Sequence, residues 1–355
     1  MATKYLAKTM TYGLLLQANW ATVQAAGAAY KIIPYNAGVS IPDPDISVGL
    51  YNTTGQNGLH KEVERFFVDG RSGLPKINFA MTADLESIAP HFAGALFGMT
   101  EVASGSYQKQ AVALGLTATI DFVANATKVY TIAIDNSASA DDGIILENAI
   151  IDNLTIDFDF LANGIGRFAQ LSGTWVGNEM NFEQTTGGTW VATDGGAKST
   201  LITTPLNDAD AFAFTVLGSD SEDWSGEAVR SFSLNIANNV TSNVATTAGK
   251  ANNYDVSPVY TSKIVLDYNS TTEKVLKDFQ DGATILATLD NTTRAAGTTK
   301  DFTIACTGGK LMKSPFIYNG EFAGVELDVV WHSTAAATPI TITLTDGIQW
   351  GYDAP

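Results

Sequence analysis

A period-two alternation of apolar and polar residues recurs along the chain and constrains the fold more than any other feature. In residues 154–160 every second side chain is apolar, and Thr155, Asp157 and Asp159 occupy the positions between them. The same alternation is found in residues 114–122, 232–236, 325–331 and 340–345. Successive strand residues point to opposite faces, so this pattern is typical of antiparallel sheets with one buried and one solvated face. The sequence predicts a mainly-β protein built from sandwiches or barrels.

Two segments have helical periodicity instead. In residues 83–97 the apolar residues recur at three- and four-residue spacing, and Gly98 is expected to end the helix. Residues 270–280 open with the Ser-x-x-Glu pattern of a capping box, and Gly282 follows them. Because isolated helices of this length are unstable in water, each is expected to pack against a sheet.

The strand and helix patterns recur in the same order in the two halves of the chain. Residues 76–82 align with residues 263–269 at an offset of 187, and the alignment continues without a gap through both helices. Residues 46–52 align with residues 232–238 at an offset of 186. A third match places the strand of Trp175 against the strand of Trp331, after an insertion in the first half. Identities are few, so the order and spacing of the patterns carry the inference of an internal duplication.

The duplication gives a predicted domain organisation. A first β domain with an N-terminal arm covers residues 1–180, a turn-rich connecting region covers residues 181–225, and a second β domain covers residues 226–355. Each domain is predicted to be an antiparallel β-sandwich with a short flanking helix. A connection of more than twenty residues follows the first strand of each unit, at residues 53–74 and 239–260. Loops of that length are usually functional or disordered, and in a polymerising protein they would reach a neighbour.

The charge and the single cysteine narrow the class of protein. The formal net charge of −17 argues against a protein that holds nucleic acid by neutralising phosphates, but it suits one that lets DNA slide past. Cys306 is the only cysteine, so no intrachain disulfide can form, and its apolar surroundings predict a buried, inert thiol. The N-terminus lacks a signal-peptide pattern and no apolar run is long enough to span a bilayer. Synthesis in a cytoplasm is therefore expected.

The sequence predicts no catalytic site, no cofactor site and no metal site. The three histidines, His60, His91 and His332, do not form a spaced ligand pair. The acidic groups at residues 43–45, 208–210 and 220–223 lack the spacing of a calcium loop, so turns and solvated loops explain them better.

A carboxylate pair raises the question of acid–base catalysis. Asp157 and Asp159 lie two apart on a predicted strand and share its outward face. With no partner base or nucleophile motif, a wetted acidic surface is the favoured interpretation.

Several segments, distributed over most of the chain, resemble the tail tube proteins of long-tailed bacteriophages. They are residues 10–14, 30–35, 73–79, 149–175 and 229–239. The resemblance implies a β-sandwich tube domain with a flanking helix, in which neighbouring subunits join their sheets into a barrel around a lumen. A duplicated member would form trimeric rings with pseudo-sixfold symmetry, and its long loops would contact the next ring.

The resemblance also implies the partners and the location. The subunit would associate with itself, with a tape measure protein and with tail terminator and tip proteins, in the tail of a virion assembled in the host cytoplasm. DNA would be present only in transit through an acidic lumen, and no membrane would be bound. A duplicated subunit suits a non-contractile tail better than a contractile one.

Two other functions stay open at this point. A carbohydrate-binding or adhesin-type β-sandwich could use some of the six Trp and twelve Tyr residues as a stacking platform. A β-rich hydrolase would need converging carboxylates that the sequence does not display.

Overall fold

Strands dominate the computed structural model, and the mainly-β prediction is confirmed. The structure describes residues 11–17, 20, 29–33, 46–53, 63–71, 74–103, 107–113, 129–135, 143–160, 168–184, 189–192, 213–217, 229–243, 253–268, 277, 280–290, 301–313, 316–319, 322–333, 338–346 and 349–350.

The described elements begin in the first half with β1 (Thr11–Leu16), β2 (Ala29–Ile32), β3 (Ile46–Thr53), β4 (Val63–Arg71), β5 (Lys76–Thr82), α1 (Leu85–Leu96), β6 (Phe97–Ala103), β7 (Tyr107–Ala113), β8 (Tyr130–Asp135), β9 (Gly143–Asp159), β10 (Gln170–Val176), β11 (Glu179–Gln184) and β12 (Thr189–Ala192). They continue with β13 (Ala213–Leu217), β14 (Val229–Ala237), β15 (Thr241–Asn243), β16 (Asn253–Asp255), β17 (Val259–Asp267), β18 (Ile285–Asp290), β19 (Phe302–Leu311), β20 (Phe316–Asn319), β21 (Phe322–Trp331) and β22 (Ile340–Asp346).

Seven of these strands form an antiparallel sheet to which both halves contribute, here called the shared sheet. Its order is β5-β10-β9-β14-β17-β21-β20. Strands β5, β10 and β9 come from the first half, and the other four come from the second half. The two halves therefore meet edge to edge, at the pairing of β9 with β14.

Each half also contributes a second sheet, which is connected to the shared sheet through a strand that pairs in both. The first-half sheet has the order β11-β9-β8-β1-β2-β12, with β2 and β12 parallel. The second-half sheet has the order β13-β18-β19-β22-β7-β6. The hairpin β6–β7 belongs to the first half but pairs with β22 of the second half. The division at residues 180 and 226 stays a prediction, since strands from both sides of these boundaries pair in all three sheets.

The strand pairing of the first half is repeated in the second half, which supports the predicted duplication. In the first half, β9 runs from the first-half sheet, between β8 and β11, into the shared sheet beside β10. In the second half, the first part of β19 lies between β18 and β22, and its last residues pair with β21. Strand β20 then pairs with the remainder of the same edge of β21. Strands β10 and β21, which carry Trp175 and Trp331, therefore correspond as predicted.

Local irregularities recur at corresponding points. The β8–β9 pairing shifts its register by one residue between Tyr130 and Ile132, and the β18–β19 pairing does so between Ile285 and Ala287. Within each shift, the crossing strand has a residue in the left-handed region. These residues are Asn148, with φ of 50°, and Gly308, with φ of 68°. Such bulges bend a strand sharply, which lets one strand serve two sheets.

The structure corrects two details of the predicted alignment. Helix α1 ends at Leu96, and the left-handed residue that caps it is Phe97, with φ of 65°, and not Gly98. The corresponding left-handed residue in the second half is Gly282, with φ of 62°. Phe97 and Gly282 are 185 residues apart. The offset of 187 is therefore wrong by two, because few side-chain identities fix a gap-free alignment.

Helix α1 is buried on all its described sides. The predicted apolar face is confirmed, since Leu85, Ile88, Phe92 and Leu96 are at most 1% exposed. Ser87 and His91 are buried as well, and the helix packs against β9, β6, β7 and β22. One continuous apolar core includes residues from both halves.

Two other predicted features lie largely or wholly outside the described residues. Of the predicted helix at residues 270–280, Lys277 and Gln280 are described and are helical. The predicted strand at residues 114–122 lies outside the described part. The predicted match of residues 46–52 with residues 232–238 is not repeated in the described pairing, since β3 pairs with β4, whereas β14 pairs with β9 and β17. None of the described helices is long and apolar enough to cross a membrane.

The burial of His91 predicts a pH dependence of stability. Burial lowers the pKa of His91 from 6.5 to about 3, against a weaker opposing effect of the Ser87 carbonyl, 3.0 Å from Nδ1. The unfolded chain binds a proton below pH 6.5 and the folded chain does not. The free energy of unfolding should therefore fall by up to about 1.4 kcal/mol for each pH unit between about 6 and 3. Denaturant titrations across this range measure that slope.

A pair of variants isolates the His91 contribution. His91→Asn keeps an N–H donor near the Ser87 carbonyl but does not titrate, so its slope should be shallower than that of the wild type. His332→Asn, at an exposed position, should keep the wild-type slope. Equal slopes for the wild type and His91→Asn would contradict the assignment.

Candidate self-association surface

The junction between the halves is a regular seven-residue ladder. It extends from the pair Asp159 and Ser231 to the pair Asn153 and Ala237. On the core side the ring centroids of Phe158 and Phe232 are 6.1 Å apart, and both side chains are 1% exposed. Cross-strand aromatic pairs of this kind stabilise a sheet. The sequence therefore makes a strong edge-to-edge contact between one unit and the next within a single chain.

On the solvent side, the junction is polar. The Thr155 hydroxyl donates a hydrogen bond to Asn235 Oδ1 across the two strands, at 3.0 Å. Asp157 and Asp159 are exposed on this same outward face, as the alternation predicted. The carboxylates therefore form part of a wetted surface next to the junction.

The two ends of the shared sheet have strand edges without a described partner. Among the residues that the structure describes, β5 pairs only with β10, and β20 pairs only with β21. Strand β20 pairs with β21 in the second half, as the end of β9 pairs with β10 in the first half. The other edge of this part of β9 is paired with β14. Exposed sheet edges are templates for pairing with another chain. The open edge of β20 is thus the counterpart of an edge already paired within the chain.

The outward face of the second half carries paired charges. Lys263 Nζ lies 2.6 Å from Glu326 Oε2 on the neighbouring strand, and Lys313 forms ion pairs with Glu326 and Asp328. The Asp328 carboxylate raises the pKa of Lys313. Arg230 and Asp267 form a further ion pair between β14 and β17. Asp157 and Asp159 are exposed beside the junction of the two halves, on the same outward face.

The long connection of the second half lies on the first half. Asp152 Oδ1 accepts a hydrogen bond from the Val240 N–H, at 2.8 Å. The Tyr254 hydroxyl donates to the Asn148 carbonyl, at 2.7 Å, and burial raises its pKa. The Tyr254 ring packs edge-on against Trp20, with centroids 5.3 Å apart. This connection therefore joins the two halves of one chain, and contact of either connection with another copy stays a prediction.

A buried polar contact fixes where this connection leaves the sheet. Asn238, directly after β14, donates from Nδ2 to the carbonyls of Ala95 and Ile151, at 2.9 and 2.8 Å. Asn238 itself is fully buried. The last turn of α1, the crossing strand β9 and the start of the connection are thus held together.

Sequence reasoning did not identify the Tyr254 contact or the open edges. The only local signal for the contact is the alternation of Tyr254 and Val256 with polar residues, in a segment otherwise rich in turn formers. The open edges have no local signal, because an edge is defined by the strands that pair with it.

The other candidate residues do not converge in the described structure. His91 is buried in the core, His332 is exposed, and His60 lies outside the described residues, as do the acidic groups at residues 43–45, 208–210 and 220–223. Within the described ranges, no group of three or more His, Cys, Asp or Glu side chains could hold a metal ion. Cys306 is buried in the core, and burial raises the pKa of its thiol.

No protein-family model matches this sequence, and no curated protein matches it significantly.

Proposed function

We propose that this protein is a structural subunit that self-associates into rings, and that stacked rings form the tail tube of a long-tailed bacteriophage. The observation that carries the proposal is the edge-to-edge junction of β9 and β14, together with the open counterpart edge of β20. If the edge of β20 in one copy pairs with the edge of β5 in the next copy, an edge-to-edge contact of the kind made within the chain is repeated between chains. Repeating one contact closes a ring when the rotation between copies divides a full turn evenly, and otherwise produces an open helical filament.

The duplication sets the expected number of copies. Each chain supplies two units, so a ring with six equivalent junctions contains three chains, with three junctions inside chains and three between them. Closure would also remove the exposed strand edges that an open sheet otherwise leaves available for aggregation.

The polar outward face of the shared sheet suits the inner wall of such a tube. Asp157 and Asp159 would present carboxylates beside each junction, and the ion pairs of Lys263 and Lys313 neutralise basic groups on the same face. A wall with exposed carboxylates repels DNA phosphates and lets DNA pass without binding. Under this proposal the protein catalyses no reaction. It would also contact tape measure, terminator and tip proteins in the virion tail.

Negative-stain electron microscopy of the purified protein tests the proposal. Annuli with an open lumen, or tubes of stacked annuli, are expected as protein concentration rises. A monodisperse monomer under all assembly conditions would contradict it.

The described tryptophans do not favour the carbohydrate-binding alternative. Glycan platforms need exposed aromatic faces. Trp175, Trp331 and Trp350 are buried, and Trp20 is half-buried against Tyr254.

A further inference from the structure

The seven strands of the shared sheet alternate in direction, because every pairing between neighbours is antiparallel. An odd number of alternating strands leaves the two edge strands, β5 and β20, running in the same direction. Rotation about a ring axis does not reverse a strand relative to that axis, so β5 of the next copy keeps this direction. The edge of β20 therefore meets the next copy's β5 in a parallel orientation, whereas β9 and β14 are antiparallel.

The duplication measures how far the strands are displaced along one another. Followed straight across the sheet, the row of paired residues that starts at Asn78 in β5 reaches Val259 in β17, four strands away. The counterpart of Asn78 in the second half is Lys263, at the offset of 185 between Phe97 and Gly282. The second half is thus displaced by four residues over four strands, or one residue per strand.

Strand pairing gives the same offset independently of the helix ends. Ile150 and Lys310 each lie two residues after the left-handed residue of their crossing strand. The row through Ile150 reaches Lys76 in β5, and the row through Lys310 reaches Thr261 in β17. Lys76 and Thr261 are also 185 residues apart.

A stagger of one residue per strand is the displacement that a closed sheet needs. With a rise of about 3.3 Å per residue and a spacing of about 4.8 Å between strands, it corresponds to a strand tilt of roughly 35° from the axis of closure. Strands in closed barrels are tilted by about 35–45°. The shared sheet therefore has, within one chain, the geometry of part of a barrel wall.

The same stagger brings β20 beside β5 of the next copy. In an untilted ring the two strands would miss each other, because Phe316 is level with Leu266 while Thr82, the last residue of β5, is level with Lys263. One residue per strand over seven strands moves β5 of the next copy by about seven residues. This displacement places β5 beside all four residues of β20.

The two faces of the sheet restrict the register further. Opposite residues of neighbouring strands share a face, and Val325 and Leu266, in the row that leads to position 316, are buried. In the next copy this row has to reach a buried residue of β5. For a displacement near seven residues, that residue is Ile77 or Phe79.

We propose that adjacent copies join by parallel pairing of β20 with residues 77–82 of β5, in a sheet that is already staggered for closure. This pairing deepens the proposed function and rests on it. The six junctions of the ring share their place in the wall but alternate between antiparallel and parallel hydrogen bonding. Parallel pairs are slightly less stable per residue, and β20 has four residues, whereas the β9–β14 ladder has seven. Rings should therefore dissociate into folded chains on dilution.

Disulfide cross-linking tests the direction of the pairing. Chains with one added cysteine in β20 are mixed with chains with one added cysteine in β5, so a link between the two kinds of chain joins two copies. The variants are Ile317→Cys or Asn319→Cys in β20 and Asn78→Cys, Ala80→Cys or Thr82→Cys in β5. In a parallel pair, position 317 links to 78 and 319 to 80, or 317 links to 80 and 319 to 82.

A control variant sets the background of the cross-linking. Thr261→Cys lies at a half-buried outward position on β17, which has a partner strand on both sides. The predicted pairs should give at least about tenfold more dimer on a non-reducing gel than the β20 variants mixed with Thr261→Cys, since a disulfide needs Cα atoms within about 7 Å. The native Cys306 is buried and stays in all chains.

Ring formation is scored separately by negative-stain microscopy, so the pairing and the ring can fail independently. If rings form and the links run in the opposite order, so that moving from 317 to 319 moves the link toward position 78, the parallel pairing is overturned while the ring stands. If rings form and none of these pairs links, β20 and β5 are not neighbours and the pairing is overturned as well. If the wild type forms no rings, both proposals fall.

Hydrogen exchange checks the junction without any substitution. In wild-type rings, the amides on the open edges of residues 76–82 and 316–319 should exchange at least about tenfold more slowly than in the dilute chain, because pairing protects backbone N–H groups. Unchanged exchange in both strands, with rings present, would overturn the proposed junction.

Discussion

Replacing Trp175 with alanine is expected to lower the free energy of unfolding by about 3–5 kcal/mol, the range for removing a large aromatic side chain from a core. Trp175 is fully buried, with the rings of Tyr130 and His91 5.4 and 5.6 Å away. Helix α1 packs directly on it, since a Cβ at Gly94 would lie 2.8 Å from Trp175 Cζ3. The cavity would thus open between the helix and the shared sheet. Denaturant titration measures the loss.

Two further substitutions calibrate this result. Trp175→Phe retains most of the ring volume and should lie between the wild type and the alanine variant. Trp20→Ala removes a half-buried ring and should have a clearly smaller effect. A loss below about 1.5 kcal/mol for Trp175→Ala would show that the helix and the sheet do not depend on this contact.

Proline in β20 is expected to prevent ring closure. Neighbouring residues of an antiparallel strand direct their N–H groups to opposite sides. Of Ile317 and Tyr318, one N–H therefore points toward β21 and the other toward the open edge. Proline has no N–H, so the substitution on the open side removes an edge donor and leaves the pairing with β21 intact. That variant should stay folded and need at least about tenfold more protein to form rings.

The other proline variant is the internal control. It removes a hydrogen bond between β20 and β21 and should lower the unfolding midpoint. Mass photometry and denaturation of both variants give the comparison. If the variant that stays folded forms rings at the same protein concentration as the wild type, the β20 edge is not a junction between copies.

Local sequence patterns predicted the strands and the first helix because these depend on residues close in sequence. The alternation in residues 154–160 and 325–331 lies in β9 and β21, and the helical spacing in residues 83–97 gives α1. The duplication was visible because the order of the elements, rather than individual identities, is repeated.

Features that depend on distant pairing were not predictable. Strand β9 serves two sheets through the bend at Asn148, and the sequence shows only one long alternating run. The hairpin β6–β7 pairs with β22, which is more than two hundred residues away in sequence. No local pattern can therefore predict this pairing. The helix cap at Phe97 has no glycine to signal its left-handed conformation. Each of these is fixed by strand pairing or tertiary packing.

The candidate surface was predictable only in part. The outward positions of Asp157 and Asp159 follow from alternation alone. The junction of β9 with β14, the open edge of β20 and the burial of Tyr254 follow from topology, which sets the strands that become neighbours.

The mass of an isolated ring tests the central claim most directly, because the claim is that each chain supplies two joined units to one closed wall. Mass photometry of single rings, confirmed by counting subunits in class averages, should give three chains around an open lumen. Six chains would retain the ring but contradict the claim that both halves line it. A compact monomer at all concentrations would contradict the account as a whole.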